Sequence, residues 1–290
     1  SPDTVEAGGR TYTADRFLLA TGSSVLIPPI PGLKETGYIT FKQAVDLHKP
    51  PESLFIIGGG AVGCEFAQIF SIFGSKDTIA ERSTLVSNED REVVDLVQAL
   101  FEFRNIKVLN SVTVTKVEKK GHKKRVYYSY GAQEEYQDVE EILMSTGKVP
   151  VLDFAPEKAG VKTSRSGIIV NQYLQTSNPK VFAAGDVVGP YLFTHSGYYQ
   201  SSLAIQNAFK RQKVKVNYRT VPRCVFITPE VASVGITEQE AKVKGIGIKK
   251  GLAAISILGR ANTSEEFDGF VKVITDKKGV ILGASIVAPR

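Results

Sequence analysis

The chain has 290 residues, 42% of them hydrophobic, which is more than one core can comfortably use, so two or three domains are expected. No run approaches the roughly eighteen apolar residues that cross a bilayer, and Ser1-Pro2-Asp3 shows no targeting signal, so a membrane reading is set aside. The net charge of +6 sits largely in the clusters Lys119-Lys120, Lys123-Lys124-Arg125, Lys249-Lys250 and Lys277-Lys278, expected at turns and without interleaved aromatics. That pattern describes a solvated basic surface rather than a nucleic-acid groove.

Two cysteines, Cys64 and Cys224, lie far apart in no C-x-x-C spacing, and the three histidines form no ligand pattern. This argues against a disulfide scaffold or a zinc site and for a reducing compartment, the cytoplasm by default.

In chain order, residues 11–20 read as a strand, followed by the hinge-like Ile27-Pro28-Pro29-Ile30-Pro31-Gly32. Leu54-Phe55-Ile56-Ile57 is a short buried strand, residues 61–73 have helical spacing, and Thr78-Ile79-Ala80 is a second strand. A helix over 90–103 and a strand over 106–109 continue the alternation that builds a parallel sheet. Residues 112–118, 125–130 and 134–141 read as a three-strand meander before the strand Ile142-Leu143-Met144-Ser145. Val181-Phe182-Ala183-Ala184 is a strand and 196–209 a long helix. From Val221 onward the character becomes α+β, with strands over 223–227 and 231–234, a helix over 237–244 capped by Thr237 with Glu240, and a hairpin of 270–275 with 280–287.

The strongest local signal is the glycine motif of residues 58–63, set between strand and helix. Gly58 allows a tight turn, Gly60 lets backbone approach a pyrophosphate, Gly63 lets helix and strand pack, and the amides of Ala61 and Val62 open the helix. About twenty residues on, the second strand ends in an acid, Glu81, as a dinucleotide fingerprint asks. Glu81 favours NAD by accepting from the ribose hydroxyls, whereas Arg82 could hold a 2′-phosphate, so NAD and NADP both stay open. Glu65, placed in the first helical turn, gains from the helix dipole whatever else it does. Cys64 at the same turn is read as a small packing residue.

Four further landmarks follow in order: Ala20-Thr21-Gly22-Ser23, Ser145-Thr146-Gly147-Lys148, Val181-Phe182-Ala183-Ala184-Gly185-Asp186 and Thr228-Pro229-Glu230-Val231-Ala232-Ser233-Val234-Gly235. With the Gly58 motif, the chain resembles the pyridine nucleotide-disulfide oxidoreductases, most of all the dihydrolipoyl dehydrogenase and mercuric reductase branch. The resemblance implies an α/β fold of two Rossmann-like nucleotide domains, the FAD one incomplete and the NAD(P) one complete, plus an incomplete α+β dimerisation domain. It divides the chain into 1–45, 46–147, 148–218 and 219–290. It implies FAD and NAD(P) as cofactors, NAD(P) held by Gly58, Gly60, Ala61, Val62, Gly63, Glu65, Glu81, Arg82 and Gly147. FAD would be held by Thr21, Gly22, Ser23, Gly185, Asp186, Leu192, Phe193, Thr194 and His195, with the amides opening the next helix facing the flavin.

Glu65 and His195 are the candidate catalytic groups. The family's redox Cys-x-x-x-x-Cys is expected ahead of residue 1 and its C-terminal His and Glu beyond Ala288-Pro289-Arg290. Lys148 departs from the family's usual arginine, and Val149-Pro150-Val151 lacks its Pro-Asn. The implied activity passes hydride between NAD(P)H and FAD and on to a dithiol or disulfide, or to a thiol-bound metal ion such as Hg(II), in a homodimer. A thiol-independent transhydrogenase or NADH oxidase, and a non-catalytic NAD-binding fragment, are the alternatives.

Overall fold

The computed structural model describes residues 3–189 and 191–289; Ser1, Pro2, Pro190 and Arg290, which the readings above touch, lie outside the described residues. The chain forms two compact units, one from 1–26 and 148–221, the other from 27–147 and 222–290.

In the larger unit, four parallel strands run in the order Glu141–Met144, Ser53–Ile57, Lys76–Ala80, Lys107–Leu109. The inner two, Ser53–Ile57 and Lys76–Ala80, have covered faces on both sides, and Leu54-Phe55-Ile56-Ile57 reads as a continuous apolar run accordingly. On one face Leu54, Ile56 and Ile79 share a core with Cys64, Ala67 and Phe70 of helix Ala61–Ile72 and with Val97 and Phe101 of helix Arg91–Phe103. On the other, Phe55 packs against Tyr128 with ring centroids 5.8 Å apart. Tyr128 belongs to the antiparallel meander Thr113–Lys120, Lys123–Tyr130, Gln133–Val139, which matches the expected three strands. Residues 27–45 contribute to this unit: Ile39 N–H donates to the Ile142 carbonyl and Met144 N–H to that of Ile39, at 2.8 and 2.9 Å.

The rest of this unit is a five-stranded antiparallel sheet in the order Arg223–Val225, Glu230–Gly235, Ile281–Ala288, Phe270–Asp276, Ile248–Ala254. Helix Glu238–Val243 carries the expected capping box of Thr237 and Glu240. Strand Ile248–Ala254 corrects the reading of Lys249-Lys250 as a turn. It is a mostly exposed strand at one end of the sheet's order, where lysines discourage further pairing.

In the smaller unit the single strand expected over 11–20 is two pieces. Arg10–Thr13 pairs back on Thr4–Ala7, and after Asp15-Arg16 the segment Phe17–Leu19 pairs in parallel with Val181–Ala183. Ser23–Val25 pairs antiparallel with Lys148–Pro150, and helix Thr194–Phe209 packs Ala204 against Leu174, Phe182 and Ala184. No helix among the described residues is long and apolar enough to cross a membrane.

Candidate functional site

In the larger unit, strand Ser53–Ile57 delivers the chain to Gly58, which has φ +111°. A Cβ on Gly58 would run into the Ser145 carbonyl, and one on Gly63 into the Gly58 carbonyl, so the helix can lie on its own turn only if both positions lack side chains. Ser145 locks the turn, its hydroxyl donating to the carbonyls of Ile57 and Gly58 at 3.0 and 2.7 Å. Gly60, the N-cap, is different: the direction its Cβ would take is open space. Ala61 and Val62 follow as the first helical residues, their amides without intrahelical acceptors. The result is a backbone cradle at a helix N-terminus, which fits a pyrophosphate.

Glu81 sits at that cradle. One of its carboxylate oxygens accepts from Gly59 N–H at 2.7 Å and the other from Ser83 N–H at 3.1 Å. Arg82 is exposed, as is Gly147 on the segment following Ser145. The loop after Glu81 is fastened by Val86 N–H, which donates to the Gly59 carbonyl at 2.8 Å.

Glu65 requires a correction. It is the fifth residue of helix Ala61–Ile72, beyond the first turn, so the dipole argument for a carboxylate there is weak. Its carboxylate accepts from Phe226 N–H at 3.0 Å; burial raises its pKa while that amide pulls it down. Cys64 is fully buried, its thiol donating to the Gly59 carbonyl at 3.4 Å, and burial pushes its pKa far up, the opposite of an activated thiol.

In the smaller unit two side chains, Ser23 and Lys148, meet at Asp186. The Ser23 hydroxyl donates to Asp186 Oδ2 at 2.6 Å and the Lys148 ammonium to the same oxygen at 3.1 Å. Thr21 donates to the Val151 carbonyl at 2.9 Å, and Val151 N–H to that of Gly22 at 3.0 Å, holding the two strand ends together. Gly185 N–H donates to Gln200 Oε1 at 2.6 Å, which anchors the Gly-Asp turn to helix Thr194–Phe209. Leu192 gives its carbonyl to Lys148, Phe193 is the N-cap, Thr194 begins the helix, and His195 stacks on Phe193 at 5.4 Å. Ser196, fully buried in the first turn, has a hydroxyl with no partner among the described residues. A buried hydroxyl left over at a helix N-terminus, and in the same unit a carboxylate with only one engaged oxygen, fit a polar, phosphorylated group such as FAD.

Residues 1–211 match the pyridine nucleotide-disulphide oxidoreductase family, and residues 221–290 match the dimerisation domain of the same family. The chain belongs to this family. Its members use FAD and NAD(P)H. The mercuric reductase of Bacillus cereus is 35% identical over 290 residues, covering 99% of this chain and 46% of that protein. The dihydrolipoyl dehydrogenase of Mycoplasma pneumoniae is 35% identical over 294 residues, covering 99% of this chain and 64% of that protein. Among solved structures, the HOCl-induced flavoprotein disulfide reductase RclA from Escherichia coli superposes with a TM-score of 0.89 at 28% identity, over 99% of this chain and 67% of that one. The chain thus spans about half the length of the curated mercuric reductases it matches, between 46% and 53% for the first three.

Sequence reasoning missed Ser145 as the lock on the glycine turn, Gln200 as the anchor of Gly185, and the orphaned Ser196. Gln200 carried no local signal: helix Thr194–Phe209 buries the polar Ser196, Gln200 and Asn207 while Tyr198, Ile205 and Phe209 are exposed, so its pattern does not mark an inner face. Lys148 stood out only as a departure from the family pattern; the structure gives it two partners.

Proposed function

We propose that this chain is the pyridine-nucleotide and flavin-contacting part of an NAD(P)H-dependent flavoprotein that exchanges electrons with a dithiol or disulfide, or with a thiol-bound metal ion such as Hg(II). What supports the proposal is that one chain carries two unlike arrangements suited to nucleotides, the glycine cradle with Glu81 and the Ser23–Asp186–Lys148 constellation. Bound FAD would supply the acceptor for hydride from NAD(P)H. The cradle from Gly58 to Gly63 would hold the pyrophosphate of NAD(P), with Glu81 toward the adenosine ribose and Arg82 and Gly147 flanking it. Thr21, Gly22, Ser23, Gly185 and Asp186 would hold the flavin's polyol chain. The segment from Leu192 to His195 would direct the helix amides at its ring, where they oppose accumulating negative charge. The kinship with mercuric reductases and dihydrolipoyl dehydrogenases supports the substrate class, and the matched dimerisation segment supports a homodimer. Two free cysteines, one buried, suit a reducing cytoplasm.

Two substitutions test the two halves. Asp186→Ala is expected to loosen FAD by one to two decades, since a charge-assisted hydrogen bond to a hydroxyl is worth about 1.5 to 3 kcal/mol. Flavin absorbance after desalting, beside a melting curve, separates this from a turn-capping role, which would lower stability but leave FAD occupancy full. Glu81→Ala is expected to move the NAD-to-NADP preference toward NADP by about 1 to 2 kcal/mol. Because Glu81 also holds Gly59 and Ser83, both coenzymes weaken, and the ratio in paired titrations is the diagnostic quantity. An unchanged ratio would remove Glu81 from the ribose.

A further inference from the structure

Lys148 opens the strand Lys148–Pro150, whose partner Ser23–Val25 runs antiparallel with Pro150 opposite Ser23 and Lys148 opposite Val25. Lys148 and Ser23 are therefore diagonal neighbours on one face of the pair, and both reach the same atom, Asp186 Oδ2, at 3.1 and 2.6 Å. The ammonium has a second acceptor that a simple ion pair would not need. It donates to the carbonyl of Leu192 at 3.2 Å, immediately before the Phe193 N-cap of helix Thr194–Phe209.

We propose that Lys148 is a positioning residue for the flavin site, coupling the orientation of Asp186 to the placement of the following helix N-terminus. With Ser23 and Lys148 both on Oδ2, the carboxylate is turned so that Oδ1, which carries no protein bond among the described residues, is the oxygen presented to a hydroxyl of the ligand. Through Leu192 the same ammonium fixes where the helix amides begin, so one side chain would set two contacts to one cofactor. An exposed ion pair would do neither, but here the Lys148 and Asp186 side chains are only 29% and 19% exposed. The inference rests on the FAD reading and deepens it.

The test compares the complete protein containing this chain with its Lys148→Met variant, which keeps the stem and loses the donor, and its Lys148→Arg variant, which keeps a cation with several donors. Three quantities are read: FAD affinity by flavin fluorescence, amide exchange over residues 191–197 without FAD, and melting temperature. Lys148→Met is expected to bind FAD about tenfold more weakly, the scale of one lost charge-assisted interaction. Its amides over 191–197 should exchange faster while the melting temperature barely moves. Lys148→Arg is expected to recover FAD affinity to within about threefold of the original, well inside one decade. Unchanged FAD affinity in Lys148→Met, or an arginine variant as impaired as the methionine one, would overturn the assignment while the FAD reading stands. If the complete protein that contains this chain takes up no FAD, the FAD reading falls and the assignment of Lys148 falls with it.

Discussion

Lys272→Ala is expected to destabilise the larger unit by about 3 to 5 kcal/mol, the range for breaking a buried ion cluster from one side. Lys272 lies on strand Phe270–Asp276 and is fully buried, an extreme position for a lysine. It is tolerated because three carboxylates converge on it: Glu92 at 2.7 Å, Asp90 at 3.3 Å and Glu238. Burial works against the ammonium, but the bonds to Glu238 and Glu92 and the charge of Asp90 outweigh it, and the pKa is raised. Asp90 is itself buried and accepts from Glu238 N–H at 2.8 Å, so the cluster joins the start of helix Arg91–Phe103 to helix Glu238–Val243 and the antiparallel sheet. Alanine leaves a buried Asp90 without its cation.

The signs with pH follow. A raised lysine pKa stabilises fully below its unfolded value, about 10.4, and the gain is lost as pH climbs through the folded one. Glu92 and Glu238, lowered on balance despite some burial, stabilise above their unfolded value of about 4.3 and lose that as pH falls. The penalty in Lys272→Ala should therefore be greatest between those limits. Urea denaturation at neutral pH measures it, and adding Asp90→Asn should return part of the loss by removing the uncompensated charge. A single-variant loss below about 1 kcal/mol would mean that water already solvates the cluster.

That cluster shows why part of this molecule was legible in the sequence and part was not. The glycine motif, the strand and helix after it, the meander and the Thr237–Glu240 cap are each written within a few residues of themselves, by turn chemistry or by period. Lys272 meets Asp90, Glu92 and Glu238 across 182, 180 and 34 positions, and no local pattern encodes such a meeting. Strand Ile248–Ala254 was hidden for a related reason. Its Lys249-Lys250 reads as a solvated turn, yet the segment is held by pairing along Phe270–Asp276, and Lys250 reaches Glu238 at 2.9 Å. At the candidate sites, residue types were readable but roles were not. Glu65 and Lys148 each stand in a motif, and only the fold assigns their partners, Phe226 and the pair Asp186 and Leu192.

The second large effect concerns Asp77, which lies outside the strand Thr78-Ile79-Ala80 read from the sequence. The structure places it inside Lys76–Ala80, opposite Leu54 and 3% exposed, with no hydrogen-bond partner for either carboxylate oxygen among the described residues. Burial pushes its pKa up to about 7, with the Ser75 hydroxyl pulling weakly the other way without reaching hydrogen-bond geometry. Well below about pH 4 both folded and unfolded chains hold the proton and the residue imposes no pH-dependent penalty. As pH rises, the unfolded chain ionises first and stability falls, until the folded carboxyl also ionises near pH 7 and the deficit levels off. Three pH units of separation correspond to about 4 kcal/mol at most, since one unit is about 1.4. Asp77→Asn keeps the shape and removes the ionisation, so it is expected to stabilise by about 2 to 4 kcal/mol more at pH 8 than at pH 4. The difference between the two pH values is the measurement, because the fixed cost of burying an amide cancels from it. Chemical denaturation of both proteins at each pH gives the number, and an equal shift at pH 4 and pH 8 would show that Asp77 ionises in the folded chain as it does in water.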